Sequence, residues 1–311
     1  MDKLQRFLLE NLHIRGEWVS LQTSWQTIQN TAHYPAPVHK VLGEALAAIS
    51  LLAESLKFDG SLTLQIRGTQ PVTMLVVQAN SKGGIRGIAK WKEDSFLAEE
   101  VLSNKDSIPT QDPSFNELFG AGTMVISVEN NPKKGQQQGE RYQSLVSLDG
   151  DSLADCFKEY FTQSEQLKTQ LWLTADENTA TGLMLQSLPE DKLDSATQAN
   201  NWTHATVLAE TISDEELLSL KAEDLLHRLY HEEDLRLYDP QPIHFECSCS
   251  QQKIENTIYS LGEVEANDIL SEQGSISIDC EFCNTHYELD SIDVERLFSN
   301  ADVVNTNDQL H

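Results

Sequence analysis

Residues 35–68, PAPVHKVLGEALAAISLLAESLKFDGSLTLQIRG, decide the fold of the first half of the chain. Apolar side chains recur at helical spacing from Val38 to Leu56, and Phe58-Asp59-Gly60 then interrupts the pattern. From Ser61 to Arg67 every second residue is apolar, which is the period of a strand. A long helix running directly into a strand predicts a mixed α and β domain.

Working outward from this stretch, we expect antiparallel strands and further helices on both sides. Strands are predicted at Val72 to Ala79, Ile85 to Trp91, Thr123 to Val128, Gln143 to Leu148, Gln170 to Thr174 and Thr181 to Gln186. Helices are predicted between Phe96 and Phe119, and from Ser152 to Phe161. The residues from Asn130 to Gly139 resemble a mobile hairpin tip. The fold class is α+β: a core with an antiparallel sheet and packed helices.

The charge of the chain divides it into regions of different character. Its 311 residues carry a net charge of −27, and residues 190–311 alone hold 27 acidic and 6 basic side chains. This charge would repel nucleic acid. No segment has the ~20 apolar residues that cross a bilayer, and the N-terminus does not resemble a signal peptide. We therefore expect a cytoplasmic protein with no nucleic-acid or membrane partner.

Four regions are predicted: an α/β core at 1–189, an acidic, metastable helical linker at 190–240, a small cysteine-containing domain at 241–298 and an acidic tail at 299–311. In the linker, nine acids between Glu210 and Asp234 face only Lys221 and Arg228. Ser213 and Glu216 form a capping-box pattern. An amphipathic stripe follows it, made of Ile212, Leu217, Leu220, Leu225 and Leu229. Such a short helix is stable only while its leucines are docked.

Four of the five cysteines form two close pairs, Cys247-Ser-Cys249 and Cys280-Glu-Phe-Cys283. Two such pairs separated by a loop can place four thiolates around one Zn²⁺ ion. We predict that these four cysteines are the metal ligands. A segment of this length has a small core, so metal removal should unfold it.

Two histidines near these pairs and the fifth cysteine are expected to have structural roles rather than to bind the metal. His244 and His286 each lie three residues from a cysteine and could replace a thiolate, but four cysteines already complete a tetrahedral site. Cys156 lies on a helix beside Leu153 and Phe157, and we expect a structural thiol there.

Several of these segments together resemble one family over essentially the whole chain. They are Tyr160 to Gln166, Phe245 to Ser250, Leu261-Gly262 with Glu265, and Cys280 to Cys283 followed by Tyr287. The chain resembles the heat-shock protein thirty-three family of redox-regulated holdase chaperones. The C-x-C pair, followed after thirty residues by C-x₂-C behind an acidic linker, carries most of the resemblance.

The resemblance implies a redox-regulated, ATP-independent chaperone for thermally or oxidatively unfolding proteins. The reduced form would hold one Zn²⁺ per chain on the four cysteines and be inactive. Oxidative stress would form the disulfides Cys247–Cys249 and Cys280–Cys283, release zinc, unfold the linker and produce a homodimer that binds unfolded clients. Cα atoms at i and i+2 of a strand lie ~6.6 Å apart, near the ~6.8 Å limit for a disulfide. We therefore expect the C-x₂-C pair to close first.

Two other functions remain open at this point. A strand leading into C-x₂-C is also found in thiol–disulfide oxidoreductases, although no βαβ pattern surrounds Cys280. A zinc-ribbon adaptor is the second alternative, and the acidic charge counts against it. No phosphate-binding loop or catalytic constellation is present in the sequence, so we expect neither a nucleotide site nor an enzyme.

Overall fold

The computed structural model describes residues 2–56, 58–95, 113–132, 139–165, 167–189 and 194–307. The chain divides into two compact units, Met1–Glu246 and Cys247–His311. The strands are β1 (Lys3–Leu9), β2 (Ile14–Leu21), β3 (Gly60–Arg67), β4 (Val72–Asn80), β5 (Gly84–Trp91), β6 (Thr123–Asn130), β7 (Arg141–Ser147), β8 (Thr169–Ala175), β9 (Ala180–Ser187), β10 (Leu235–Leu237), β11 (Gln241–Pro242), β12 (His244–Phe245), β13 (Ile276–Asp279) and β14 (His286–Leu289).

Helices occupy both units. They are α1 (Thr23–Gln29), α2 (Ala36–Ser55), α3 (Phe115–Phe119), α4 (Leu153–Tyr160), α5 (Ser195–Ala209), α6 (Asp214–Ser219), α7 (Ala222–Tyr230), α8 (Gln251–Leu261), α9 (Glu263–Gln273) and α10 (Ser291–Asn307). A 3₁₀ turn covers Glu93–Ser95, and a π-helical turn, Phe161–Glu165, continues α4.

Two six-stranded sheets form the first unit. The first has the order β10-β1-β2-β9-β8, with β11 also paired to β1, and the second has the order β12-β5-β4-β3-β6-β7. Among these pairs all are antiparallel except β12 with β5, which is parallel. The mixed α and β class is therefore confirmed, and the predicted meander corresponds to β3, β4 and β5.

The central helix α2 contacts strands of both sheets and organises the main core. Thirteen of its twenty residues are buried, because apolar side chains surround most of its circumference. It is long and apolar enough to cross a membrane, but 72% of its most apolar window is buried inside the protein. Such burial is typical of a core helix.

The predicted long helix and strands are confirmed, with bounds shifted by a few residues. Two long strands, β1 and β2, were not predicted, because side chains are buried on both of their faces and the apolar alternation is lost. The short strands β10, β11, β12 and β14 were not predicted either, because two to four residues are too few to show a period. The predicted helical pair between residues 96 and 119 lies partly outside the described residues. The described part of this range, residues 113–119, contains the short helix α3. The predicted hairpin tip also falls largely outside them.

The residues after the predicted core are distributed over both units. Helices α5, α6 and α7 belong to the first unit, and residues 235–246 add the short strands β10, β11 and β12 to its sheets. The second unit contains α8, α9, the β13–β14 hairpin and α10. The predicted limits at residues 240 and 298 lie between β10 and β11 and within α10, and the division into four regions stays a prediction.

Candidate metal centre and linker-docking face

The four C-terminal cysteines are positioned by two local structures of the second unit. Cys247 and Cys249 precede α8, whose first turn is capped by Ser250 accepting a hydrogen bond from the Lys253 amide. Cys280 and Cys283 lie in the turn after β13, where the Cys280 carbonyl accepts from the amides of Cys283 and Asn284. Asn284 has φ of 57°, a left-handed conformation that asparagine tolerates. Backbone hydrogen bonds thus shape the second pair.

The four sulfur atoms lie within 4.8 Å of one another. The Sγ–Sγ distances are 3.6 Å for Cys247 and Cys280 and 3.4 Å for Cys249 and Cys283. Tetrahedral bonds of ~2.3 Å to Zn²⁺ would place the sulfurs about 3.8 Å apart. This arrangement could hold a metal ion and is compatible with zinc, since four thiolates form a soft, closed donor set.

Neighbouring groups make the thiols unequal. Burial raises the pKa of Cys280 to about 12, with hydrogen bonds to Cys283 and Cys247 adding to the rise. Burial also acts to raise the pKa of Cys283, but hydrogen bonds from Thr285 and the other thiols outweigh it and lower that pKa to about 6. The Thr285 hydroxyl lies 3.1 Å from the Cys283 sulfur. A hydrogen bond with Cys249 raises the pKa of Tyr287 to about 12.

Thr285 and Tyr287 were missed by sequence reasoning, although a signal was available. They lie two and four residues after Cys283 at the start of β14, and alternate residues of an extended segment share a face. Hydroxyl groups on that face reach the thiol cluster.

The remaining candidate residues lie elsewhere. His286 contacts Asp279, with 2.8 Å between Nδ1 and Oδ1, and His244 lies 3.4 Å from the Glu246 carboxylate. Within the described residues, the candidate metal-binding group consists of the four cysteines. Cys156 is fully buried in the main core, and burial raises the pKa of its thiol. A structural interpretation of Cys156 fits this position.

A second apolar cluster joins the predicted linker to the first sheet. Side chains from the sheet meet side chains from α5, α6 and α7, which cover the face opposite α2. The sheet contributes Phe7, Leu9, Ile14, Trp18, Leu183 and Leu185. The helices contribute Ala205, Ala209, Leu217, Ala222, Leu225, Leu226, Leu229 and Tyr230. We call this cluster the docking face. It contains Leu217, Leu225 and Leu229 of the predicted stripe, while Ile212 and Leu220 pack against it; Leu226 was not in the predicted stripe.

Polar contacts complete the docking face. Ser213 and Glu216 form the predicted capping box at the start of α6. Glu216 also accepts an ion pair from Arg228 on α7, with 2.6 Å between Oε1 and Nε. The same guanidinium donates to the hydroxyl and carbonyl of Thr211. Arg228 therefore joins the end of α5 to α6 and α7.

One carboxyl group of the core faces the linker. Glu44 on α2 and Asp214 on α6 line the same cleft, with Leu217 beside them. Burial raises the pKa of Glu44 to about 7, Lys40 opposes the rise, and the negative charge of Asp214 adds to it. Docking of α6 thus brings two acidic groups together.

Comparison with known proteins identifies the family. The profile of the family described as Hsp33 protein matches residues 2–290. This chain belongs to the Hsp33 family. It is 44% identical to the 33 kDa chaperonin of Pseudomonas aeruginosa (strain LESB58), over 96% of this chain and 95% of that protein. It is 42% identical to the 33 kDa chaperonin of Shewanella sediminis, over 98% of both chains.

A solved structure agrees with this assignment of the fold. The crystal structure of the 33 kDa chaperonin of Thermotoga maritima, an Hsp33 homologue, matches with a TM-score of 0.74 at 20% identity. The match covers 96% of this chain and 98% of that one. Membership of the Hsp33 family supports a chaperone function, which implies binding of unfolded proteins.

Proposed function

We propose that this Hsp33 family member is a redox-regulated, ATP-independent holdase of the cytoplasm, with no enzymatic activity. Its reduced form would hold one Zn²⁺ on Cys247, Cys249, Cys280 and Cys283 and be inactive. The observation that carries the proposal is the pairing of a four-sulfur cluster with a small core of five buried residues in the same unit. Loss of the metal would remove most of that unit's stability.

The redox step consumes the four thiolates. Each pair gives two electrons to one molecule of hydrogen peroxide, forming one S–S bond while the peroxide O–O bond breaks and two waters result once protons are taken up. Two pairs therefore consume two peroxides and form Cys247–Cys249 and Cys280–Cys283. Disulfide sulfurs are poor ligands, so the metal would be released.

The docking face connects this step to client binding. α6 and α7 are six and nine residues long, and helices of that length are marginal in water without tertiary contacts. Once undocked, the linker and the sheet would expose apolar side chains, while the net charge of −27 would favour solubility of a client complex. Activation would also produce a homodimer.

Zinc release and client protection can be measured together on the reduced protein, before and after peroxide at heat-shock temperature. We expect loss of one zinc per chain together with suppression of aggregation of a thermally unfolding client. Zinc loss without protection of the client would mean that the metal has a structural role only and would contradict the proposed switch. Insulin reduction serves as the control, because a thiol–disulfide oxidoreductase would turn over and a holdase would not.

The order of disulfide formation is a separate prediction. The turn holding Cys280 and Cys283 is already closed by backbone hydrogen bonds, whereas Cys247 and Cys249 lie outside any helix or strand, between β12 and α8. We expect Cys280–Cys283 to form first under limiting peroxide. Timed alkylation followed by peptide mapping measures the order, and earlier formation of Cys247–Cys249 would contradict it.

Replacing Arg228 by alanine is expected to destabilise the docked linker by about 1–2 kcal/mol, because an ion pair and two hydrogen bonds are lost. Hydrogen exchange of residues 195–230 in the reduced protein should accelerate by roughly tenfold. Arg141→Ala is the matched control, since Arg141 pairs with Glu129 on the second sheet. Equal acceleration in both variants would contradict the assigned role of Arg228.

The raised pKa of Glu44 predicts a pH dependence of linker docking. A carboxyl group whose pKa is raised in the folded protein favours the folded, docked state in its protonated form. This stabilising contribution is fully present below the pKa of the unfolded chain, near 4.5, and is lost as the pH rises to about 7. Because the negative charge of Asp214 on α6 adds to the rise, we expect Glu44→Gln to strengthen docking at pH 8 and not at pH 4.5. Hydrogen exchange of α6 measures this effect.

Glu17→Gln provides the comparison for this pH effect. Burial raises the pKa of Glu17 to about 7 as well, but its neighbours are Arg15, Glu54 and Arg6 rather than linker residues. Its substitution should change global stability without a selective effect on α6. Equal effects on α6 in both variants would show that Glu44 does not act through Asp214.

A further inference from the structure

Residues 235–246, which we call the strap, contain the short strands β10, β11 and β12. These strands cover one edge of each sheet in the first unit, namely β1 of the first sheet and β5 of the second. β10 and β11 pair antiparallel with β1, and β12 pairs parallel with β5. The other neighbours of these edge strands are β2 and β4. The strap therefore occupies the hydrogen-bonding positions that would otherwise lie open on β1 and β5.

The strap is held by backbone hydrogen bonds and by three partly buried apolar side chains. Ile243 and Phe245 pack against the main core, and Leu235 packs against the docking face. The amides of Tyr238, His244 and Glu246 donate to the carbonyls of Arg6, Gly83 and Ile85 at 3.0, 3.0 and 2.9 Å. Leu237 and Tyr238 are 39% and 36% exposed, and no strap residue is fully buried.

A few polar side-chain contacts add to this backbone pairing. Gln241 donates to Glu54 at 3.1 Å, and Asn80 donates to Glu246 at 2.7 Å. The strap thus resembles a bound extended peptide more than a core strand.

The strap also pairs incompletely with the β1 edge. It pairs with β1 in two pieces, of three and two residues, and Pro240 and Pro242 lack amide donors. The net value of a backbone hydrogen bond is smaller than the entropy cost of ordering a residue. The strap would therefore detach when the folded segments at its two ends unfold.

We propose that the β1 and β5 edges bind extended segments of unfolded client polypeptides by strand addition, and that the strap blocks these edges in the resting state. This inference rests on the proposed function and assigns a client-binding surface to it. Strand addition recognises the main chain, which all unfolded proteins share. An uncovered edge of this kind is a template for pairing with another chain.

Two observations favour a client segment over a second copy of this chain. A two-fold symmetric dimer pairs an edge strand with itself in antiparallel orientation, and at the β5 edge the strap runs parallel instead, although at β1 it is antiparallel. A client without proline could also pair continuously along all seven residues of β1, which the strap does not. The occupant seen on these edges is a short extended segment, and a client segment has the same form.

The covalent connection explains why clients would not bind the resting protein. A tethered segment competes at an effective concentration of the order of mM while its ends are fixed. A client present at about 1 μM would be disfavoured roughly 1,000-fold relative to it. Unfolding on both sides of the strap lowers that effective concentration and opens the edges.

Hydrogen exchange at single-residue resolution on the full chain tests the proposal. The probe is reduced, carboxymethylated α-lactalbumin, which stays unfolded in solution. Peroxide activation should expose the β1 and β5 amides that point toward the strap, and the probe should then slow their exchange at least tenfold. The alternate amides of β1, which point toward β2, are the internal control and should stay protected throughout.

Three results would overturn the proposal. The first is a bound probe that leaves the edge amides exposed, and the second is edge amides that remain protected after activation without a probe. The third is protection that rises with protein concentration in the absence of the probe, which would assign the edges to a second copy. Failure of the activated protein to capture the probe or protect any client would instead contradict the proposed holdase function.

Discussion

Replacing Cys280 by alanine is expected to unfold residues 247–307 and leave the first unit folded. Among the described residues of the second unit, the buried core consists of Ile258, Ala266, Ile276, Leu289 and Val294. So small a core contributes little stability, whereas a structural zinc site contributes roughly 10–16 kcal/mol of apparent binding energy. Loss of one thiolate leaves the site incomplete and removes most of that energy.

Circular dichroism and amide NMR measure this effect directly. We expect the helical signal of α8, α9 and α10 to disappear and zinc binding to be lost. The dispersed amide resonances of the first unit should persist. Cys156→Ala is the matched control, because that thiol is buried in the main core away from the cluster. A folded second unit in Cys280→Ala, at the same zinc concentration, would mean that its core is sufficient alone.

The second large effect is expected from Leu225→Asp. Leu225 is fully buried in the docking face, among side chains that include Phe7 and Trp18. A buried unpaired carboxylate costs several kcal/mol, which exceeds what a short acidic helix can supply. The linker should therefore undock while the four thiolates stay reduced and keep their metal.

The reduced Leu225→Asp protein should suppress client aggregation without peroxide, with zinc retained. Val207→Asp is the matched control, since Val207 lies on α5 of the same linker and is 54% exposed. Leu217→Asp should behave as Leu225→Asp does, because Leu217 is 2% exposed in the same cluster. If the reduced Leu225→Asp protein has an undocked linker but does not suppress aggregation, linker undocking is not sufficient for client binding.

Local patterns in the sequence are sufficient for much of the fold and for the group of four cysteines that could hold a metal ion. The apolar periodicity of α2, the alternation in β3 and the Ser213–Glu216 capping box are short-range features, and the structure contains all three. The spacing of the cysteines limited the donor set to four thiolates, and their sulfurs lie within 4.8 Å. These features depend on residues close together in the chain.

Features that depend on distant residues were decided only by the tertiary structure. β1 and β2 carry buried side chains on both faces, so their alternation gives no strand signal, and Leu225 belongs to the same apolar cluster as Phe7 and Trp18. The strap pairs with edges more than 150 residues earlier, and burial raises the pKa of Glu44. The sequence by itself determined the local elements and the chemistry of the cysteines; the tertiary structure decided pairing, docking and burial, because these depend on long-range contacts that local periodicity does not record.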